Sequence, residues 1–420
     1  MRHAFKAMVI LSGVTLFLLG CNRPGSGVKV GQGASKNSPP PLQQPEESPL
    51  SDRQCYAPDS TPVASGGVVC FIDSECQVHA IDARSGAELW KFKAASAVDY
   101  VPTLSSGTAF IASGALVFAI DTRTGRERWK FETQSEFHSQ PTVSGQLVMF
   151  SDDGGDLHAL DKTTGRERWS RRKLNKEDEV ASEYIADGVA ICEVGDFIVC
   201  LDAETGGERW RYNVGDSSVE IAIGGGVVCV ASEDGYVYGL DARDARPAWQ
   251  IETKNEPSDI SVVDGAAYFK AGDRLYAVNV KTGSLKWQIH DEHWDDAYVL
   301  QAVTNGIAYA EDTGNVYAID VSTGKKKWEF DGYSFIGAST GVCLLDRGAY
   351  IVAVDRAGQQ RWKFRMPAEY GALSGAVTAS GVVYIVSGKE SLFGIELATG
   401  RQTWSFKLDS DKLASAPRGR

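Results

Sequence analysis

Residues 117–129 read Val-Phe-Ala-Ile-Asp-Thr-Arg-Thr-Gly-Arg-Glu-Arg-Trp, and residues 157–169 read Leu-His-Ala-Leu-Asp-Lys-Thr-Thr-Gly-Arg-Glu-Arg-Trp. The same pattern returns at 78–90, 198–210, 237–249, 275–287, 316–328, 351–362 and 392–404, which makes nine copies whose tryptophans lie 34 to 42 residues apart. Two apolar runs precede each motif and a third surrounds each Trp. A fixed period of this size marks a propeller or another repeat array. Period-two alternation between glycine-rich turns excludes a helical solenoid.

Each position of the motif has a physical task. Before the apolar-Asp pair stands a small residue, among them Ala80, Ala119, Ala159, Cys200 and Gly239; small size there is expected to let neighbouring sheets approach. Asp82, Asp121, Asp161 and Asp202 are expected to accept hydrogen bonds from backbone N–H groups two or three residues on, closing an Asx-type turn. Gly86, Gly125, Gly165 and Gly206 supply the positive φ that a hairpin bulge needs. Trp90, Trp129, Trp169 and Trp210 then enter an outer strand, where a large ring staples one blade to the next. The fifth copy replaces Thr-Gly by Asp244-Ala245, and its Pro247 suits an edge strand. Residues present at one turn of every copy are read as structural rather than catalytic.

The first 60 residues have a different character. Arg2, His3 and Lys6 precede the apolar run 7–19, which suits a signal-peptide core and is too short to span a bilayer as a helix. The run ends Leu18-Leu19-Gly20-Cys21, which resembles the bacterial lipoprotein box. That resemblance implies cleavage before Cys21, lipidation of its thiol and, with Asn22 following, sorting to the outer membrane. Several acyl chains hold a protein on a membrane far better than one. Residues 21–60, rich in Gly, Ser, Gln and Pro, read as a disordered tether. The propeller is expected over 61–406, with 407–420 as a tail.

The pattern Ala-apolar-Asp-x-x-Thr-Gly-x-x-x-Trp resembles the PQQ-like β-propeller repeat family. A lipoprotein of this kind without insertions is most similar to the BamB family, scaffold lipoproteins of the outer-membrane β-barrel assembly machinery. The resemblance implies an all-β propeller, with eight blades by the family's habit and nine by the count of repeats. It also implies a periplasm-facing scaffold that binds barrel-assembly components or client proteins.

The related quinoprotein dehydrogenases need a cofactor pocket, a Ca²⁺ cage, lid loops and, in one group, adjacent cysteines. There is no Cys-Cys pair, and nine of the ten tryptophans are used by the repeat, leaving Trp294. No P-loop, Gly-x-Ser-x-Gly or Cys-x-x-Cys motif occurs. The expectation is therefore a binding protein rather than an enzyme, with no cofactor. His290 and His293 could hold a metal, but the run they belong to is read as a solvated acidic loop, so no metal site is assigned. Seven cysteines besides Cys21 allow at most one or two disulfides, with Cys70 and Cys76, or Cys192 and Cys200, flanking turns.

A net charge of −12 argues against a nucleic-acid partner. In a four-stranded meander the first and third turns share one face, and the second turn and inter-blade link share the other. Sorted this way, the third turns are basic and the links acidic. Glu177, Asp178, Glu179 and Glu183 after the third Trp, with Asp291, Glu292, Trp294, Asp295 and Asp296 after the sixth, form the candidate partner-binding surface. The alternatives are a quinoprotein-type oxidoreductase and a lipoprotein sensor or adhesion module.

Overall fold

The computed structural model describes residues 61–408 except 95, 97, 99, 138–139, 173–179, 187, 215–218, 291–298, 313, 340, 367–372 and 388–390, together with two short paired strands, Ile10–Leu11 and Val14–Thr15. Nine four-stranded antiparallel sheets follow one another along the chain, each with its strands in sequence order. These blades cover 63–92, 103–132, 142–171, 180–213, 219–252, 257–290, 299–331, 334–365 and 373–407. Every repeat in the sequence thus becomes one sheet, and the count is nine. First strands of consecutive blades touch, and the first strand of blade nine touches that of blade one. The first strands therefore ring the axis, and the motif strands form the outer edge.

Alternation decides the packing. The second and third strands are buried on both faces, as in Thr108–Ser113, while the outer strand Glu127–Glu132 buries Trp129 and exposes its neighbours. Apolar clusters form between adjacent blades, so no blade holds a core alone. One such cluster joins Phe110, Val117 and Trp129 of blade two to Val143, Val148 and Phe150 of blade three.

The ring closes without strand exchange. Blades one and nine are each built from one continuous segment. Their seam is filled by Ala64, Val69, Phe71 and Ile81 from one side and Val377, Tyr384, Val386, Leu392 and Trp404 from the other.

The face assignment follows from backbone bonds. Ala83 N–H donates to Gly67 O at 3.0 Å and Thr122 N–H to Gly107 O at 3.0 Å, tying third turns to first turns. On the other face, Thr133 N–H donates to Ala115 O at 2.9 Å and Asp153 N–H to Glu136 O at 2.8 Å, tying links to second turns.

Candidate functional site

The motif residues are consumed by the architecture. Asp121 Oδ1 accepts from Arg123 N–H at 3.1 Å and Thr124 N–H at 2.9 Å, the expected Asx-type turn. Its other oxygen accepts from Arg128 at 2.6 Å, and Asp161 and Asp202 repeat this with Arg168 and Arg209 at the same distance. These guanidiniums, with the turn N–H groups, hold Asp161 and Asp202 down at about 2. Much of the basic charge on the third-turn face is thus paired within its own blade. That face is less open to an acidic partner than the sequence count suggests.

Each motif Trp reaches into the next blade. Trp90 Nε1 donates to Thr122 O at 2.8 Å, Trp129 to Lys162 O at 3.1 Å, Trp169 to Ala203 O at 2.9 Å and Trp210 to Ala242 O at 3.0 Å. Trp404 closes the ring through Ala83 O at 3.0 Å. Trp328 Nε1 is buried without a hydrogen-bond partner. Its counterpart acceptor, Arg356, lies in a turn one residue shorter, from Asp355 to Gly358.

The motif glycine meets two demands at once. Gly125 has φ +68°, and a Cβ placed on it would lie 2.7 Å from Trp90 of the preceding blade. Gly86, Gly165 and Gly206 stand in the same way against Trp404, Trp129 and Trp169.

The small residue before the apolar-Asp pair has a different reason from the one expected. Ala80, Ala119, Ala159 and Cys200 sit directly opposite the Trp of their own blade. A Cβ at Gly239 would lie 2.1 Å from Trp249 in that blade. Small size there makes room for the blade's own indole rather than for a neighbouring sheet.

Of the candidate partner-binding residues, Glu177, Asp178, Glu179, Asp291, Glu292, Trp294, Asp295 and Asp296 lie outside the described residues, as do Cys21 and His293. Glu183 falls on the first strand of blade four, Val180–Ala186, in register with Cys192. His290 ends the outer strand of blade six, its Nδ1 3.1 Å from Asp273 Oδ2.

The cross-turn disulfides do not form. Cys70, Cys200, Cys229 and Cys343 are buried free thiols, and Cys192 is buried on its strand. Cys70 pairs in register with Ala80, and Cys192 and Cys200 with Val199 and Ile191, so neither pair faces across its hairpin. Burial pushes Cys70 and Cys229 up to about 12, which leaves them little thiolate for chemistry. Cys76, at a second turn with φ 61°, is disulfide-bonded.

Sequence reasoning missed two groups of residues. The first lies on the axial strands. Glu220 of blade five accepts from Ile260 N–H of blade six at 3.2 Å, and Asp259 of blade six accepts from Leu300 N–H of blade seven at 3.2 Å. These acids knit successive axial strands where an inserted residue breaks the ladder between Ser258 and Ser261. Burial, then the charge of Asp259, pushes Glu220 up to about 7. The native carboxyl keeps its proton from about pH 4.5 to pH 7, where the unfolded one loses it, so stability falls as pH rises through that window. Glu220→Gln is therefore expected to raise the melting temperature at pH 8 relative to wild type and to leave it nearly unchanged at pH 5. An equal effect at both pH values would remove the buried proton from the account.

The second group is an Asp-His-Glu module at the second-turn face, present twice with the same spacing. In blade one His79 Nδ1 lies 2.7 Å from Glu88 Oε1 and Nε2 lies 2.9 Å from Asp73 Oδ2. Burial alone would lower the imidazole's pKa, but its two carboxylate partners outweigh it and raise the value above the ordinary one. In blade three His158 Nδ1 lies 3.0 Å from Glu167 Oε1, while Nε2 stands 3.6 Å from Asp152 Oδ2. The spacing Asp-x₅-His-x₈-Glu was visible twice in the sequence and was the available signal.

Comparison with known proteins then decides the family. The sequence profile described as "Outer membrane protein assembly factor BamB" matches residues 74–192, 195–334 and 347–419. The chain belongs to the BamB family. Individual relatives match in part. The outer membrane protein assembly factor BamB of Nitrosomonas eutropha is 37% identical over 75 residues, 17% of each chain. The serine/threonine-protein kinase AfsK of Streptomyces coelicolor is 31% identical over 122 residues, which is 28% of this chain and 15% of that one. The alignments thus span less than a fifth of either relative's length. Among solved structures, dihydro-heme d1 dehydrogenase NirN matches with TM-score 0.54 and 12% identity over 74% of this chain and 75% of its own. That likeness shows the propeller fold alone.

Proposed function

We propose that this chain is a lipid-anchored scaffold of the BamB type, held at the outer membrane and facing the periplasm, that presents its loops to barrel-assembly components or their clients. The observation that carries the reading is the family match across three long stretches of the nine-bladed ring. Two further features support it. Cys21 closes a lipoprotein-like box. Cys76 is disulfide-bonded, as befits an oxidising envelope compartment. Among the described residues no helix is long and apolar enough to cross a membrane.

A binding role rather than an enzymatic one fits the use of the repeated side chains. The motif carboxylates accept turn N–H groups, and the motif indoles fill the seams between blades. Partner contact is assigned to the link loops, with Glu177, Asp178, Glu179, Asp291, Glu292, Asp295 and Asp296 steering a basic surface and Trp294 as the aromatic anchor, and without Glu183, which lies in the first strand of blade four.

Cys21→Ser is expected to give a folded protein that leaves the membrane fraction and fails to restore outer-membrane barrel proteins in a strain lacking the gene. Continued sedimentation with membranes would refute the lipid anchor. Normal barrel levels in the strain without the gene would refute the assembly role.

A further inference from the structure

We propose that blade three carries a divalent transition-metal site of the zinc class, built from His158, Asp152 and Asp156. It lies on the face shared by second turns and links. One ligand atom from each of the three side chains falls within 4.8 Å of the other two.

The protein contains its own control for this site. In blade one the equivalent histidine, His79, has a carboxylate at hydrogen-bond distance from both ring nitrogens. A proton on each nitrogen satisfies that module completely. Blade three keeps the Glu contact, His158 Nδ1 to Glu167 Oε1 at 3.0 Å, but opens the other side to 3.6 Å. His158 Nε2 is shut off from solvent and has no hydrogen-bond partner. A buried polar atom with no partner is costly and calls for an explanation.

The Glu167 contact supplies half of that explanation. A carboxylate accepting Nδ1–H fixes the tautomer and leaves Nε2 with a lone pair, the arrangement usual behind metal-ligating histidines. That lone pair then faces Asp152 Oδ2, another electron-rich atom, across 3.6 Å. The gap is too long for a hydrogen bond. It is close to the separation of about 3.4 Å that bonds of about 2.0–2.2 Å impose on two ligands of a tetrahedral ion.

The third ligand marks the difference between the blades. Four residues after the module's first Asp, blade one has Gln77 and blade three has Asp156. The sequence Asp152-Asp153-Gly154-Gly155-Asp156 folds the loop so that Asp156 N–H donates to Asp152 Oδ1 at 3.0 Å, leaving Oδ2 on the histidine side. Asp152 and His158 side chains are only 4% and 12% exposed, so the ligand set is largely preformed by the strand and turn. Two carboxylates and an imidazole suit zinc or manganese better than a thiol-seeking metal. Three protein ligands leave a fourth position for water or for a side chain of a docked protein.

The test is titration of the purified, chelator-treated full chain with Zn²⁺, with Co²⁺ as a spectroscopic probe. Wild type is expected to bind one equivalent saturably, to gain a visible Co²⁺ band and to melt at a higher temperature with Zn²⁺ than with chelator. Asp156→Gln, which copies the blade-one residue, is expected to weaken Zn²⁺ by about tenfold or more and to keep the wild-type melting temperature in chelator. Should that variant fold poorly, Asp156→Asn serves the same comparison. Equal Zn²⁺ affinity in wild type and a folded variant, or no saturable binding by wild type, would overturn the site.

Discussion

Trp404→Ala is expected to destabilise the protein by about 3–5 kcal/mol, the range for truncating a large buried aromatic. The indole is 9% exposed, donates to Ala83 O at 3.0 Å and covers Gly86. Trp210→Ala removes the same chemistry, but there the chain itself still links blade four to blade five. Blades nine and one have no such connection, and no strand crosses between them. Hydrogen exchange should therefore separate the two variants. Trp404→Ala should speed exchange in 63–92 and 373–407 well before the rest of the ring, whereas Trp210→Ala should not single out those segments. Uniform exchange in both would mean that the seam is held by something other than this staple.

Gly125→Val should cost about 2–6 kcal/mol in equilibrium denaturation. A β-branched residue at φ +68° contributes about 1–3 kcal/mol of that. Overpacking against Trp90, which a Cβ would meet at 2.7 Å, contributes a similar amount. The fifth repeat calibrates the scale. Ala245 occupies the equivalent turn with φ 58° and is buried in the cluster that holds Trp210, so one methyl can be accommodated there. Gly125→Ala should accordingly cost less than Gly125→Val, and Ala245→Gly should not destabilise. A valine variant as stable as wild type would show that the turn is free to move away from the indole.

What the sequence made legible follows from which interactions recur. The turn carboxylates, the positive-φ glycines and the outer-strand tryptophans obey the same geometry in nearly every blade, so periodicity exposed both their positions and most of their roles. The reason for the small residue could not be read that way. Ala119 faces Trp129 across a bulged strand pair, a register that the spacing of the motif does not disclose. Glu220 and Asp259 escaped because the axial strands vary from blade to blade, with extra residues at Asp259 and again between Leu300 and Ala302. Alternation alone does not say which inward side chain meets a neighbour's N–H. The histidine modules differ again: the spacing was present, but only geometry separates the doubly bonded His79 from His158 with its orphan nitrogen. The proposed partner surface was read from charge on the link loops, where the sequence offers composition but no repeated motif.

The proposed role of the nine-bladed ring is that of a scaffold in outer-membrane barrel assembly. Its most direct measurement is mass spectrometry of proteins crosslinked to the chain in intact membranes and recovered through it, at low and at high salt. Barrel-assembly components or nascent barrel proteins are expected to be the dominant crosslinked species. Their yield is expected to fall as salt screens the proposed acidic rim over a Debye length of about 10 Å at 0.1 M, and to fall likewise when Glu177, Asp178 and Glu179 are changed to Lys. Recovery of neither class of protein, with the chain folded and in the membrane, would contradict the proposed role.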